Sequence, residues 1–591
     1  MITKINFNKL EIVGKKMFSF LVPLSSFLVL STACSDFLDE TNRNAVTSDV
    51  LYSTPEGYEN LVNACYAYTK AFMGNADGYS LTEMGTDCFT GAGSSSGNVP
   101  ALAYYGPELN STYKPFRYMW NVLYSGLNCT NAAITRADNS GLDETAKRHR
   151  LGEVHFLRAL YLHLITEIWG DAILYTDEIQ SPQTTAVRSS QAEIYQQIFA
   201  DLDESSKLLA GTAAKENGRV TLNAVKALRA RLDLYRGNYA EAASLAKELI
   251  NSGAYDFYDT FAETFDMDNE AGQNNKEAIW WVNYAGNADD QTLLSAFAVR
   301  PGGEDSPTLG GRVGNQSPLF ACMSYWMVSG CGVWVTPETH APWVQSQPTL
   351  AYLHTFNEKI DQRYEATFKG VWLVNSTTSN YDANYGPNYG ADGPLALGDT
   401  AFVVSKYVYS DAERAKHHYK IYDANDVFDP VTHKSIGTRD YFISGYKFHD
   451  YTLPTGWEYF SGRDWFVFRL AEMYLIAAEA EMQNNNKSEA VRLLNVLREK
   501  RAIPGHEAEM RITESDLDID FILDERGREL SMELQRFFDL KRTGKFVERI
   551  KKMNPDAADV IQSYHQFRPI PQSEIDALTN KDEFRQNDGY Q

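Results

Sequence analysis

Along several stretches of this chain, apolar residues recur at steps of three and four, and each such stretch predicts a helix. In DETAKRHRLGEVHFLRALYLHLITEIWG, Val154, Leu157, Tyr161, Leu164 and Ile168 fall on one face. Asp143 stands where an N-cap belongs, and Gly170 where the helix must stop. TLNAVKALRARLDLYRGNYAEAASLAKELINSGAY predicts a helical hairpin: Ala224, Leu228 and Leu232 line one arm, Gly237-Asn238 turn, and Ala242, Leu245, Ala246 and Leu249 line the return. Small residues facing each other let two helices approach closely, as in a tetratricopeptide unit. The helical period returns over 465–500. There Leu470, Tyr474, Ala477 and Glu481 share a face, Asn484–Asn486 break the helix, and Ala490, Leu494 and Leu497 define the next. A further helix is predicted over 518–542. Trp120 and Trp169 lie within apolar helical patterns and read as core.

Residues 256–460 differ. Gly, Asn, Asp, Tyr and Trp become frequent and the helical period fades; KEAIWWVNY reads as a strand, whereas SPTLGGRVGNQSP and NYGPNYGADGP are loop chemistry. The tail, 551–591, reads as irregular. A helical frame thus encloses a loop-rich middle, and long ordered loops on a rigid frame usually carry function.

The N-terminus adds a location. Lys4, Lys9, Lys15 and Lys16 precede the apolar run Met17–Ala33, which ends in small residues before Cys34, the order of a secretory signal. Pro23 and a length of 17 residues make that run marginal as a spanning helix, and no later segment reaches 18 continuous apolar residues. Ser31-Thr32-Ala33-Cys34 resembles a bacterial lipobox with its Leu displaced by one place, to Leu30. Ordinary signal-peptidase cleavage after Ala33 competes with acylation of Cys34, and the lone cysteine at that junction favours acylation. Several acyl chains, palmitate among them, would anchor the mature chain stably where one would not. Residues 34–50 then form a polar tether.

The 591 residues carry a net charge of −23, which repels phosphate backbones and argues against nucleic acid as a partner. The six cysteines, Cys34, Cys65, Cys88, Cys129, Cys322 and Cys331, include no CxxC and no metal spacing. Cys322 and Cys331 either bridge or stay small buried residues, the second being the commoner fate.

Catalytic signatures are sparse: HExxH does not occur, and GGRVGN lacks the spacing of a phosphate cradle. His155 and His163 share a helix face without co-ligands and read as core or groove residues. DMDNEAGQNNKE half matches a calcium loop, with Asp266, Asp268, Glu270 and Glu277 in ligand positions but Ala271 where Gly belongs; an acidic turn is the preferred reading, with Ca2+ a minor alternative. In DERGRELSMELQRFFDLKR, Glu525, Arg526, Arg528, Glu529, Glu533, Arg536, Asp539 and Arg542 read as structural ion pairs. No metal or other cofactor and no catalytic residue is expected.

Two loop stretches suit sugar recognition, where aromatic rings stack on C–H faces and polar side chains meet hydroxyls. SYWMVSGCGVWVTPETHAPW supplies Tyr325, Trp326, Trp334 and Trp343. GTDCFTGAGSSSGNVPALAYYGPELN supplies Asp87, Phe89, Asn98, Tyr104 and Tyr105. Tyr381, Tyr385 and Tyr389 form a weaker third set.

An ordered set of segments carries a resemblance from Cys34 to Gln591, weakest across 260–460: CSDFLDE, TPEGYENLVNACYAY, MWNVLYSGLNCTNAAI and GEVHFLRALYLHLITEIWGDAILY, then RLAEMYLIAAEAEMQNNNKSEAVRLLNVLREKRAIPG, FILDERGRELSMELQRFFDLKRTGKF, FRPIPQSEIDALTN and QNDGYQ. Together they resemble the RagB/SusD family of Bacteroidetes surface lipoproteins. Gly152, His155 and Asp588 depart from its usual pattern. The resemblance implies a mainly α, SusD-like fold: four tetratricopeptide-like helical hairpins supporting an irregular, loop-rich ligand side. It implies a lipoprotein signal peptide at 1–33, an N-terminal region at 34–236 and a C-terminal region at 275–591. Asp36, Asp39 and Glu40 resemble the acidic signature of cell-surface export. The expected function is non-catalytic binding of an oligo- or polysaccharide at the outer-membrane surface and its delivery to a SusC-like TonB-dependent transporter. The alternatives are a surface glycoside hydrolase and capture of a non-glycan nutrient such as peptide.

Overall fold

The computed structural model describes residues 47–92, 100–269, 272–284, 314–340, 344–382, 394–436, 441–453, 455–457 and 461–590. Cys34 and the leader, Asn98, Glu270, Trp343, Tyr385 and Tyr389 lie outside the described residues. The chain divides into two units, residues 1–51 and residues 52–591; everything below concerns the second. No described helix is long and apolar enough to cross a membrane.

The frame is helical. Four helix pairs stack in order: α1 (Pro55–Ala67) with α2 (Lys114–Arg136), α3 (Glu144–Trp169) with α4 (Gln191–Leu208), α5 (Leu222–Tyr235) with α6 (Tyr239–Ile250), and α7 (Leu470–Gln483) with α8 (Lys487–Lys500). The loop-rich middle interrupts the chain between the third and fourth pairs but not the stack, because α6 packs directly on α7. Ala242, Ala246, Ala477 and Ala480 are fully buried, so backbones without bulky side chains between them can close together.

Local signals explain the helix ends. Asp143 accepts hydrogen bonds from the Thr145 and Ala146 N–H groups at 2.9 Å each, and Gly170 ends α3 with φ +79°, a conformation that disfavours any Cβ. The predicted face Val154, Leu157, Tyr161, Leu164 and Ile168 is buried, yet so is nearly every residue from Gly152 to Trp169. Helix α3 is a central helix, walled by α2, α4 and the C-terminal tail, rather than an amphipathic one with a wet side.

Two expectations need correction. The helix predicted from 465 begins only at Leu470: residues Trp465–Arg469 are a strand, β7, antiparallel to β2 (Ala278–Val282), the strand predicted in KEAIWWVNY. The single helix over 518–542 is two, α9 (Ile519–Glu529) and α10 (Arg536–Arg542), separated by Met532 and Leu534 at φ +61° and +63°. That break sends neighbouring charges to different partners. Glu529 meets Arg363, Arg469 and Arg501; Glu533 meets Arg469 and Lys447; Arg526 meets Asp539. The structural ion-pair reading stands: Glu525–Arg528 and Asp539–Arg542 pair along their own helices, and the remaining pairs reach other parts of the fold.

The middle region is pinned by short strands. β1 (Phe89–Gly91) pairs with β3 (Ser346–Pro348), and β4 (Val371–Leu373), β5 (Thr400–Val404) and β6 (Lys420–Tyr422) form a three-stranded sheet in that order. Glu277, offered as the last calcium ligand, is fully buried against Arg469, Arg501 and the Thr264 hydroxyl and is not open to an ion. Cys322 and Cys331 are both buried as thiols, and the bridge between them is not made.

Candidate ligand-binding site

The loop 324–340 is built around one asparagine. Asn380, at φ +49°, donates from Nδ2 to the carbonyls of Trp326, Val328 and Val333 at 3.0, 3.1 and 3.2 Å. Asn375 grips the same loop from the other side, accepting from the Trp334 N–H at 2.7 Å and donating to the Trp334 carbonyl at 2.9 Å. Side chains thus satisfy backbone groups that no sheet could reach, which makes an irregular loop rigid.

On this scaffold the indoles of Trp326 and Trp334 meet edge to face, 6.3 Å between centroids at 85°, and both stay partly open to solvent beside exposed Met327. A second segment joins them. Gly456 lies so close to the loop that a Cβ there would stand 2.5 Å from the Thr336 carbonyl oxygen. The next residue, Trp457, is 51% exposed. Three tryptophans from segments more than 120 positions apart therefore share one neighbourhood. Sequence reasoning missed Trp457, although PTGWEY carries the same signal, an aromatic among Pro and Gly.

Other predicted site residues are placed differently. Tyr325 is fully buried beneath the loop, stacked on Trp372 at 4.4 Å, with its hydroxyl donating to the His340 carbonyl. Trp372 stacks in turn on Phe402 and carries Lys369 Nζ 4.4 Å above its ring. Tyr325 is the floor of the loop, not its face. Asp87 has no exposed surface: Arg536 donates to it at 2.6 Å from both Nε and Nη2, and Arg549 at 2.9 Å from Nε. Burial alone would raise its pKa, but the two guanidinium groups hold it down at about 2. Tyr105, at φ +55°, is buried against His565 and Phe546. Tyr104 is half-buried, its ring against Gly91, with burial pushing its pKa up to about 12. Asp87 and Tyr105 are therefore withdrawn from the ligand face, because the paired arginines and the C-terminal tail enclose them. Tyr381 is half-buried and donates to the Leu395 carbonyl at 2.8 Å.

Within the loop 331–340 the one carboxylate is Glu338, whose pKa is lowered by a hydrogen bond from Thr336. A carboxyl held in its charged form is poorly suited to donate a proton at neutral pH. Among the described residues no cluster of His, Cys, Asp and Glu is arranged to hold a metal ion. A separate cleft of about 350 Å3 lies between His354, Lys406, Phe428, His433 and Lys552. Its Lys406 is committed to the Leu353 and Phe356 carbonyls, and its one aromatic ring outside the histidines, Phe428, is buried. The tryptophan loop offers more open π surface.

The sequence profile described as SusD family matches residues 276–590, more than half of the chain, and a second profile, described as starch-binding associating with outer membrane, matches residues 36–234. The chain belongs to the SusD family. SusD-like protein P25 of Formosa agariphila is 23% identical over 570 residues, spanning 93% of this chain and 95% of that one. The starch-binding protein SusD of Bacteroides thetaiotaomicron is 24% identical over 530 residues, spanning 87% of this chain and 85% of its own. Among solved structures, a laminarin binding SusD-like protein superposes with a TM-score of 0.61 at 20% identity, covering 90% of this chain and 99% of the other. Surface glycan-binding protein A from Bacteroides thetaiotaomicron, in complex with laminarihexaose, gives 0.60 at 19% identity, with coverages of 90% and 99%. These likenesses confirm the mainly helical SusD-like fold.

Proposed function

We propose that this SusD-family protein binds an oligo- or polysaccharide at the outer-membrane surface, without catalysis, and passes it to a SusC-like TonB-dependent transporter. The observation that carries the reading is the rigid loop presenting Trp326 and Trp334 beside exposed Trp457. Open indoles on a pre-ordered loop stack on sugar faces with little ordering cost. The family description of outer-membrane association and the glycan-binding names of its relatives support the same reading. Trp343 belongs to the same loop stretch in sequence, and acylated Cys34 supplies the anchor.

The test is calorimetric titration of the full chain carrying Cys34→Ser against plant, microbial and host glycans, laminarin included, with Trp334→Ala and Trp457→Ala in parallel. The same samples are assayed for released sugar. Saturable binding is expected, weakened about tenfold or more in at least one variant, with no product. Product release would make the protein a hydrolase. Undiminished binding in both variants would move the site away from this loop. Silence across the panel would favour a non-glycan nutrient. Metabolic labelling with palmitate, lost in Cys34→Ala, checks the anchor.

A further inference from the structure

The four-pair stack contains a thiol pair that the proposed function does not use. Cys65 on α1 and Cys129 on α2 stand 3.4 Å apart, sulfur to sulfur. The two helices are fixed at this level from both directions. Tyr58 on α1 donates to the Ala133 carbonyl of α2 at 2.8 Å, and Tyr161 on α3 donates to the Cys65 carbonyl at 2.6 Å. Gly126 lets α2 lie against the Tyr161 ring, where a Cβ would come within 2.8 Å. The thiols are therefore held together by the frame itself, and closing to a disulfide length of about 2.0 Å needs an approach of only about 1.4 Å.

The two sulfurs differ in access. Cys65 is fully buried, and burial pushes its pKa well up; Cys129 is only half-buried. That asymmetry sets an order of events.

From this geometry we infer that Cys65 and Cys129 are a disulfide-forming site, oxidised by a small-molecule or protein disulfide once the chain has left the reducing cytoplasm. The location rests on the exported reading of the N-terminus. Cys129 gives its proton to solvent, and its sulfur attacks the incoming disulfide, expelling one thiolate, which takes up a proton. Cys65 then attacks the Cys129 sulfur of the mixed disulfide and expels the second thiol, which carries away the Cys65 proton. The protein loses two electrons and two protons, and the reagent is reduced to two thiols. The product ties α1, the first helix after the N-terminal segment, covalently to the second helix of the frame. The sequence offered a bridge between Cys322 and Cys331 only as the less common outcome, and the fold keeps them as separate thiols.

The test uses the full chain carrying Cys34→Ser, folded and then incubated with oxidised glutathione. Thiols titrated after denaturation should fall from five to three, with the intact mass lower by two hydrogen atoms and a peptide map joining the Cys65 and Cys129 fragments. Cys65→Ser should instead trap glutathione on Cys129, while Cys322→Ser and Cys331→Ser should leave the cross-link intact. The wild-type mass and map need no variant to fold. Five thiols persisting after oxidation, a stable glutathione adduct on unsubstituted Cys129, or a bridge mapped elsewhere would each overturn the inference. Loss of glycan binding bears on the function proposed above and leaves this measurement untouched.

Discussion

Asp87→Asn separates two roles for one residue. In sequence, Asp87 sits in a loop rich in Gly and Ser and invites a role in sugar binding. In the fold it neutralises Arg536 and Arg549, both buried to within a few per cent, through three charge-assisted hydrogen bonds. Two routes give the cost of the substitution. The fall of the Asp87 pKa from 3.8 to about 2, at roughly 1.4 kcal/mol per pH unit, is worth about 2 kcal/mol of folding stability. Stranding one partner of a buried ion pair costs about 3–5 kcal/mol, because the remaining charge has lost its counterion in a low dielectric. Asparagine keeps the shape and loses the charge, so a loss of about 2–5 kcal/mol is expected. The sign with pH follows from the depressed pKa: the contribution is complete above the unfolded value of 3.8 and is lost as pH falls towards 2. Urea denaturation of both proteins at pH 7, 5 and 3.5 should show a constant gap between the first two and a smaller one at the third. Glycan affinity of the folded variant should match the unsubstituted protein. An unchanged urea midpoint together with lost glycan binding would refute the reasoning and return Asp87 to the ligand.

Two further substitutions probe the same logic elsewhere. Glu83 is buried and accepts the backbone N–H groups of Gln535 and Arg536, and burial pushes its pKa up to about 8 despite them. Its raised value means the native state favours the protonated form, so stability is lost as pH rises from 4.5 through 8; Glu83→Gln keeps the acceptor without the charge and should gain stability over the unsubstituted protein between pH 5 and 8, a gap that urea midpoints at the two pH values would show, and a pH-independent gap would contradict it. Asn380→Ala removes the donor shared by three loop carbonyls and places a Cβ-bearing residue without a local hydrogen bond at φ +49°, a combined cost of about 2–4 kcal/mol confined to the loop. Hydrogen exchange should rise across 324–334 and not across α3, and glycan affinity should fall; unaltered exchange in the loop would show that Asn380 is not its staple.

The sequence by itself determined the helices whose signals are local. Asp143 and Gly170 bound α3 as expected, Gly237 and Asn238 turn the hairpin between α5 and α6, and Asn484–Asn486 end α7, because caps and left-handed turns act within a few residues of chain. The ordered motifs from Cys34 to Gln591 were enough to name the family. What only the tertiary structure decided was the destination of each side chain. Whether Tyr325 faces a sugar or a tryptophan, whether Asp87 meets ligand or arginine, and whether Arg469 begins a helix or ends a strand all depend on partners from tens to hundreds of residues away. Trp457 reaches the tryptophan loop because Gly456 admits the Thr336 backbone, and Cys65 reaches Cys129 because α1 packs on α2. Burial and charge pairing are properties of the packed chain, and periodicity and composition carry no record of which loop lies on top of which.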